Sequence, residues 1–254
     1  TDVAGTPSIP TTVKVEDLIQ AAEAAAKNRN YPLVEDLLKR VLEKEPKHKD
    51  VRRQLSWALF AQQKYDEAIA ALREQTQINP FDNYAYNMLG RIYWARDDYA
   101  QAETAFRKQL EITPLDSQAH TNLGQMLVQW RKFKDAIPEL EAAISLNPDE
   151  EMLYVSAGHA YLNVGESAKG IQALEKAVKL APGPLVWNDV AYNMALSKVQ
   201  LDKAQQYAES AVTTVAAELR NVELGQLSLK DIALVASLAA YWDTLGWVYY
   251  QKGD

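Results

Sequence analysis

Pro46, Pro80, Pro114, Pro148 and Pro182 follow one another at intervals of 34 residues. With 10 prolines in 254 residues, four successive coincidences at one spacing have a chance of roughly 10⁻⁶ per starting proline at such a composition. The text before each proline recurs as well: Glu-Lys-Glu-Pro, Gln-Ile-Asn-Pro, Glu-Ile-Thr-Pro, Ser-Leu-Asn-Pro and Lys-Leu-Ala-Pro. A fixed period of this length means one supersecondary unit stacked on copies of itself, each copy covering the apolar face of the one before.

Other positions keep the same step. Small residues fall at Ala22, Ser56, Gly90, Gly124 and Gly158, and twelve residues later stand Val34, Ala68, Ala102, Ala136 and Gly170. Four further on come Leu38, Leu72, Phe106, Leu140 and Leu174. Two antiparallel helices joined by a short turn approach closely only where a small side chain on one faces a small one on the other, so the pattern predicts a helical hairpin in each period. Tyr31, Tyr65, Tyr99 and Phe133 are placed to fill the corner beside the turn. Each proline ends the second helix, because it lacks an amide hydrogen and restricts the residue before it. Asp82, Asp116, Asp149 and Glu150 come next and can cap or charge-match the following helix.

With Tyr86, Leu89, Gly90, Tyr93, Ala102, Phe106 and Pro114, the chain resembles the tetratricopeptide repeat family, whose signature places an aromatic, Leu-Gly, Tyr, Ala, Phe and Pro over 34 residues. The resemblance implies an all-α fold, a right-handed α-α superhelix of about six helix pairs and a final half repeat. It covers residues 13–254, with repeats at 15–48, 49–82, 83–116, 117–150, 151–184 and 185–222 and a half repeat at 229–254. The sixth departs from the pattern: Ala191 and Ala204 lie 13 residues apart instead of 12, so its turn around Val199 and Gln200 holds one extra residue. After the polar break Gly225-Gln226-Leu227-Ser228, Trp242, Leu245, Gly246 and Tyr249 repeat the opening half of the signature. A terminal helix this aromatic needs an apolar cover, which makes the array read as a fragment whose parent continues beyond Asp254. Residues 1–12, with Pro7 and Pro10, read as a linker.

Composition and motif searches exclude several other functions. Net charge is −7 without a dense basic stripe, so no nucleic-acid surface is expected. No run of 18 apolar residues escapes interruption by a charge, and no membrane span is expected. Cysteine is absent, which removes disulfides, thiolate zinc sites and a cysteine nucleophile. His48, His120 and His159 show no metal-ligand spacing, and P-loops, nucleophile elbows and dinucleotide-binding glycine loops are missing. The reading is a non-enzyme without catalytic residues, metal or cofactor, with His120 in the core of its repeat.

In arrays of the family the first helix of each pair lines a concave surface that holds a peptide. Carried onto this chain by helical spacing, that surface comprises Arg53, Trp57 and Phe60, then Tyr84, Asn87, Arg91 and Trp94, then Asn122 and Gln125, then His159. Asn122 matches the place where peptide-binding members carry an asparagine against the ligand backbone. The carboxylate clamp of chaperone adaptors is not matched, because its places hold Arg53 with Trp57 and Asn87 with Arg91. Arg53 and Arg91 offer a small positive island for a partner's carboxylate.

Two functions follow. One is a protein- or peptide-binding module within a larger multidomain protein. The other is a structural spacer that docks neighbouring domains of its own chain, or a second copy, through an end surface of Trp242, Trp247 and Tyr250. The closing segment resembles repeats in large bacterial exported proteins that join such arrays to transglutaminase-like domains. The cytoplasm and the periplasm both remain open.

Overall fold

The structure, a computed structural model, describes residues 13–220, 222 and 228–253. Thirteen α-helices and no strand lie among them. The chain divides after Pro114 into two compact units. In the first, α1 (Val15–Lys27) pairs with α2 (Tyr31–Lys44), α3 (Val51–Ala61) with α4 (Tyr65–Ile78), and α5 (Asn83–Ala95) with α6 (Tyr99–Ile112). In the second the pairs are α7 (Ser117–Gln129) with α8 (Phe133–Leu146), α9 (Glu151–Asn163) with α10 (Ser167–Leu180), and α11 (Pro184–Leu196) with α12 (Leu201–Leu219). A last helix, α13 (Leu229–Lys252), packs on α11 and α12. The fold is all-α, a succession of helix pairs with one last unpaired helix. The linker read at residues 1–12 and most of the polar break, from Gly225 to Leu227, fall outside the described residues.

The small residues do what their spacing demands. A methyl group added at Gly90 would fall 2.5 Å from the ring of Phe106, and one at Gly124 would fall 2.8 Å from Leu140. At Gly158 it would meet Leu174 at 2.7 Å and the carbonyl oxygen of Gly170 at 3.2 Å. The backbones of α9 and α10 thus approach each other glycine to glycine. Phe106, Leu140 and Leu174 are sealed from solvent, and burial of each stabilises the pair by about 2–3 kcal/mol.

Between the paired helices the chain turns through one left-handed residue: Arg29, Gln63, Asp97, Arg131 and Gly165, again 34 apart. The sixth turn carries two, Lys198 and Gln200, as the extra residue there requires, and α12 runs to 19 residues against 14 for the other second helices. At the entry to α5, α6 and α7 the carboxylates of Asp82, Asp98 and Asp116 accept from Ala85, Gln101 and Ala119 amides at 3.0, 3.3 and 3.1 Å. Glu150 makes no such bond and contributes only charge. Asp82 also accepts from Gln75 Nε2 at 2.7 Å, tying α4 to the start of α5.

Helix α13 opens with a reciprocal Ser228–Asp231 capping box. It buries Tyr241, Thr244, Leu245 and Val248, while Tyr249 Oη donates to Glu209 at 2.8 Å and Lys252 Nζ to Asp202 at 2.8 Å. It is also the one helix, among the described residues, long and apolar enough by length and composition to cross a bilayer. A search for uninterrupted apolar runs passes it over because Asp243 breaks the run.

Candidate functional site

In the first unit the spacing between hairpins leaves a hollow of about 750 Å³. Ala22, Ala26, Val34 and Leu38 form its apolar floor, and Trp57 and Tyr84 stand in its wall. Trp57 is 39% exposed and meets the edge of Tyr31 at 5.1 Å, a contact that orients the indole without covering it. The polar rim comprises Glu23, Lys27, Asp50, Arg53 and Gln54. The guanidinium of Arg53 lies 5.5 Å above the Tyr84 ring, within the range of a cation–π contact. Burial pushes the Tyr84 hydroxyl up, against the opposing pull of Arg53 and Arg91.

Arg53, Trp57 and Tyr84 are the sequence-selected residues that this hollow unites. Arg53 arrives already engaged, bonded to Asp50 and 3.8 Å from Asp82 Oδ2. The positive island is therefore partly neutralised, while Arg91 is exposed. Phe60 is half-buried against Tyr65 at 5.7 Å. Trp94 is half-buried, edge-on to Phe106 at 6.4 Å, so its ring packs on the second helix of its own pair. Asn87 donates to Gln109 Oε1 at 3.1 Å.

The second unit holds the remaining candidates. Asn122 departs from the expectation. It is only 8% exposed and accepts from Gln118 at 2.9 Å. Gln125 is half-buried. His159 bonds through Nδ1 to Asn193 Oδ1 and lies 5.4 Å from the Phe133 ring. Since Asn193 Nδ2 donates to the Asp189 carbonyl at 2.8 Å, its Oδ1 must accept, which puts the histidine proton on Nδ1. Burial lowers the His159 pKa, opposed by the Asn193 bond. His120 is half-buried and paired with Glu139 at 2.8 Å, at the flank of its hairpin and not in the core.

Trp242 is 55% exposed and Tyr250 70%, and Trp247 stacks on Tyr250 at 5.4 Å. Among the described residues no group of three His, Cys, Asp or Glu side chains is placed to hold a metal ion.

Two features went unselected. Glu23 and Lys27 of α1 line the hollow, and the period alone would have found Glu23, which lies 34 residues before Trp57. A second hollow of about 570 Å³, on α8, α9 and α10 and flanked by Tyr154, Tyr161, Lys169 and Lys176, carries no sequence signal beyond ordinary surface lysines.

Family models described as tetratricopeptide repeat match residues 25–92, 87–151 and 153–184. Comparison with curated proteins gave no match. Among solved structures, a crystal structure of the MamA protein is 19% identical, covering 65% of this chain and 91% of its own, with a TM-score of 0.62. A MamA fragment from Desulfovibrio magneticus RS-1 is 24% identical over 69% of this chain and 97% of its own, at 0.59. YrrB, described as a TPR protein with an unusual peptide-binding site, is 19% identical over 69% of this chain and 91% of its own, also at 0.59. Such identities speak to fold alone. Together with a 34-residue period built into paired helices, the matches from residue 25 to 184 place the chain in the tetratricopeptide repeat family.

Proposed function

We infer that this protein-interaction module works without catalysis, and that its first unit binds a peptide in the hollow between Trp57 and Tyr84. The observation that supports this reading is the hollow itself: an apolar floor closed by an under-covered indole and a phenol, with charges of both signs on the rim. Ring faces supply buried area while Glu23, Lys27 and Gln54 remain at the rim to pair with a ligand backbone. Because Arg53 is engaged by Asp50 and Asp82, an acidic tail is a poor ligand, and a peptide with one large apolar side chain flanked by polar residues fits better. YrrB, with its described peptide-binding site, supports the same class of ligand.

The test is selection of ligands from a displayed peptide library, followed by titration calorimetry. Selected peptides should carry an apolar anchor and lose about tenfold in affinity with Trp57→Ala, the size expected for an aromatic at the centre of an interface. Equal affinity for wild type, Trp57→Ala and Tyr84→Ala would defeat the reading. The spacer alternative draws on a different observation, the uncovered face of α13.

A further inference from the structure

Trp242, Leu245, Gly246 and Tyr249 of α13 repeat the pattern Tyr86, Leu89, Gly90 and Tyr93 of α5. The burial of α13 follows that register on one side only. Leu245 is buried like Leu89, but Trp242 and Gly246 are exposed, whereas Tyr86 is half-buried and Gly90 buried. In the three intact hairpins with glycine at this place, a methyl group would collide with the Phe or Leu of the second helix at 2.5–2.8 Å. At Gly246 nothing lies within 4 Å. Ile232 and Val235 extend the uncovered face by more than two turns toward the start of α13, each more than half exposed. Such a stripe exceeds the scattered apolar residues that any soluble surface carries.

We propose that this face of α13 is docked by an amphipathic α-helix of a partner protein, one presenting a small residue and, four positions later, a Leu or Phe that fills the space over Gly246. The chain itself specifies that occupant. Every first helix from α1 to α9 meets a second helix bearing such a pair: Val34 with Leu38, Ala68 with Leu72, Ala102 with Phe106, Ala136 with Leu140, and Gly170 with Leu174. Gly246 is the same half of that interface, continuous with the stack of α11, α12 and α13 and open on its far side. The inference is independent of the peptide hollow, since none of the α13 residues that would receive the helix lines it. A lipid surface fits less well: the C-terminal half of α13 is fastened to α11 and α12, burying Tyr241, Leu245 and Val248, with Tyr249 and Lys252 bonded to Glu209 and Asp202.

The probe is the chain's own segment 97–114, which contains Ala102 and Phe106, synthesised as a peptide and kept helical by a covalent link between the solvent-facing positions Thr104 and Lys108. Added to the whole protein, it should saturate with a blue shift of tryptophan emission. Trp242→Glu and Gly246→Leu should each weaken it at least tenfold, as should Phe106→Ala in the peptide, while Trp57→Ala leaves it unchanged. Circular dichroism melts of the two protein variants, cooperative and no lower than wild type, show that they fold. Absence of saturation at millimolar peptide overturns the proposal, as does undiminished binding to Gly246→Leu. It is equally overturned if sedimentation shows a dimer that Gly246→Leu dissociates, which would make a second copy the occupant, or if the protein binds neutral phosphatidylcholine vesicles through Trp242.

Discussion

A methyl group at Gly90 would lie 2.5 Å from Phe106, whose ring is enclosed on all sides, while at Gly246 it meets open space. Alanine improves a helix over glycine by about 0.5–1 kcal/mol, whereas overpacking a core costs about 1–3 kcal/mol. Gly90→Ala is therefore expected to lower the urea midpoint and Gly246→Ala to raise it, although both exchanges look alike in the sequence. Glu35 makes a second case. Burial acts to raise its pKa, but bonds from Lys39, Lys64 and Gln62 outweigh it and hold the carboxyl at about 2. A depressed folded-state value stabilises the fold above the ordinary carboxylate pKa of 4.5, and this contribution is lost as pH falls toward 2. Thermal melts should drop more steeply between pH 4.5 and 2 for wild type than for Glu35→Gln. The pairing small residues were legible because each is repeated at one step. The trio around Glu35 was not, since Lys39, Gln62 and Lys64 come from two hairpins and their meeting depends on rotamers that no periodicity encodes. Asn122 shows the converse: residue type suggested a ligand contact, and the side chain is buried, whereas Gln54 at the same place in its own repeat is exposed.

At the level of the helix, the cap at Asp82 does two jobs. Its carboxylate starts α5 and anchors Gln75 of α4. Asp82→Ala should cost about 1–2 kcal/mol, the upper part of the range for a lost N-cap, read as a lowered chemical denaturation midpoint. Glu150→Ala, where no cap bond exists, should change stability by less than about 0.5 kcal/mol. Helix ends were readable because proline and aspartate act locally. The bond from Gln75 to Asp82 needed the fold. The same distinction explains α13. Its start at Ser228 and its repeat signature stood in the sequence, whereas its docking on α11 and α12 by one side, with the other bare, follows from what is packed against it.

Across the molecule, the period reports how neighbours stack and says little about where the chain divides. The division after Pro114 coincides with an ordinary repeat proline, and nothing in the text around it differs from Pro80 or Pro148. The hollow in the first unit was legible through Trp57 and Tyr84, and through the period at Glu23, but not at Lys27, whose counterpart one period later is Ala61. One recurrent detail nevertheless acts on the scale of the whole array. At the bend of successive hairpins stand Arg29, Gln63, Asp97 and Arg131 in a left-handed backbone that glycine occupies at Gly165. A bulky residue there costs about 1–2 kcal/mol, partly offset because glycine gains freedom in the unfolded chain. Glycine at Arg29, Gln63 and Arg131 should each raise stability by about 0.5–1 kcal/mol, measured by calorimetry, with Asp97→Gly giving less because aspartate tolerates this conformation better. Where repeats interact chiefly with nearest neighbours, such increments add. The bends thus form a row of separate set-screws, by which the melting temperature could be stepped upward one hairpin at a time without altering any residue that lines the hollow.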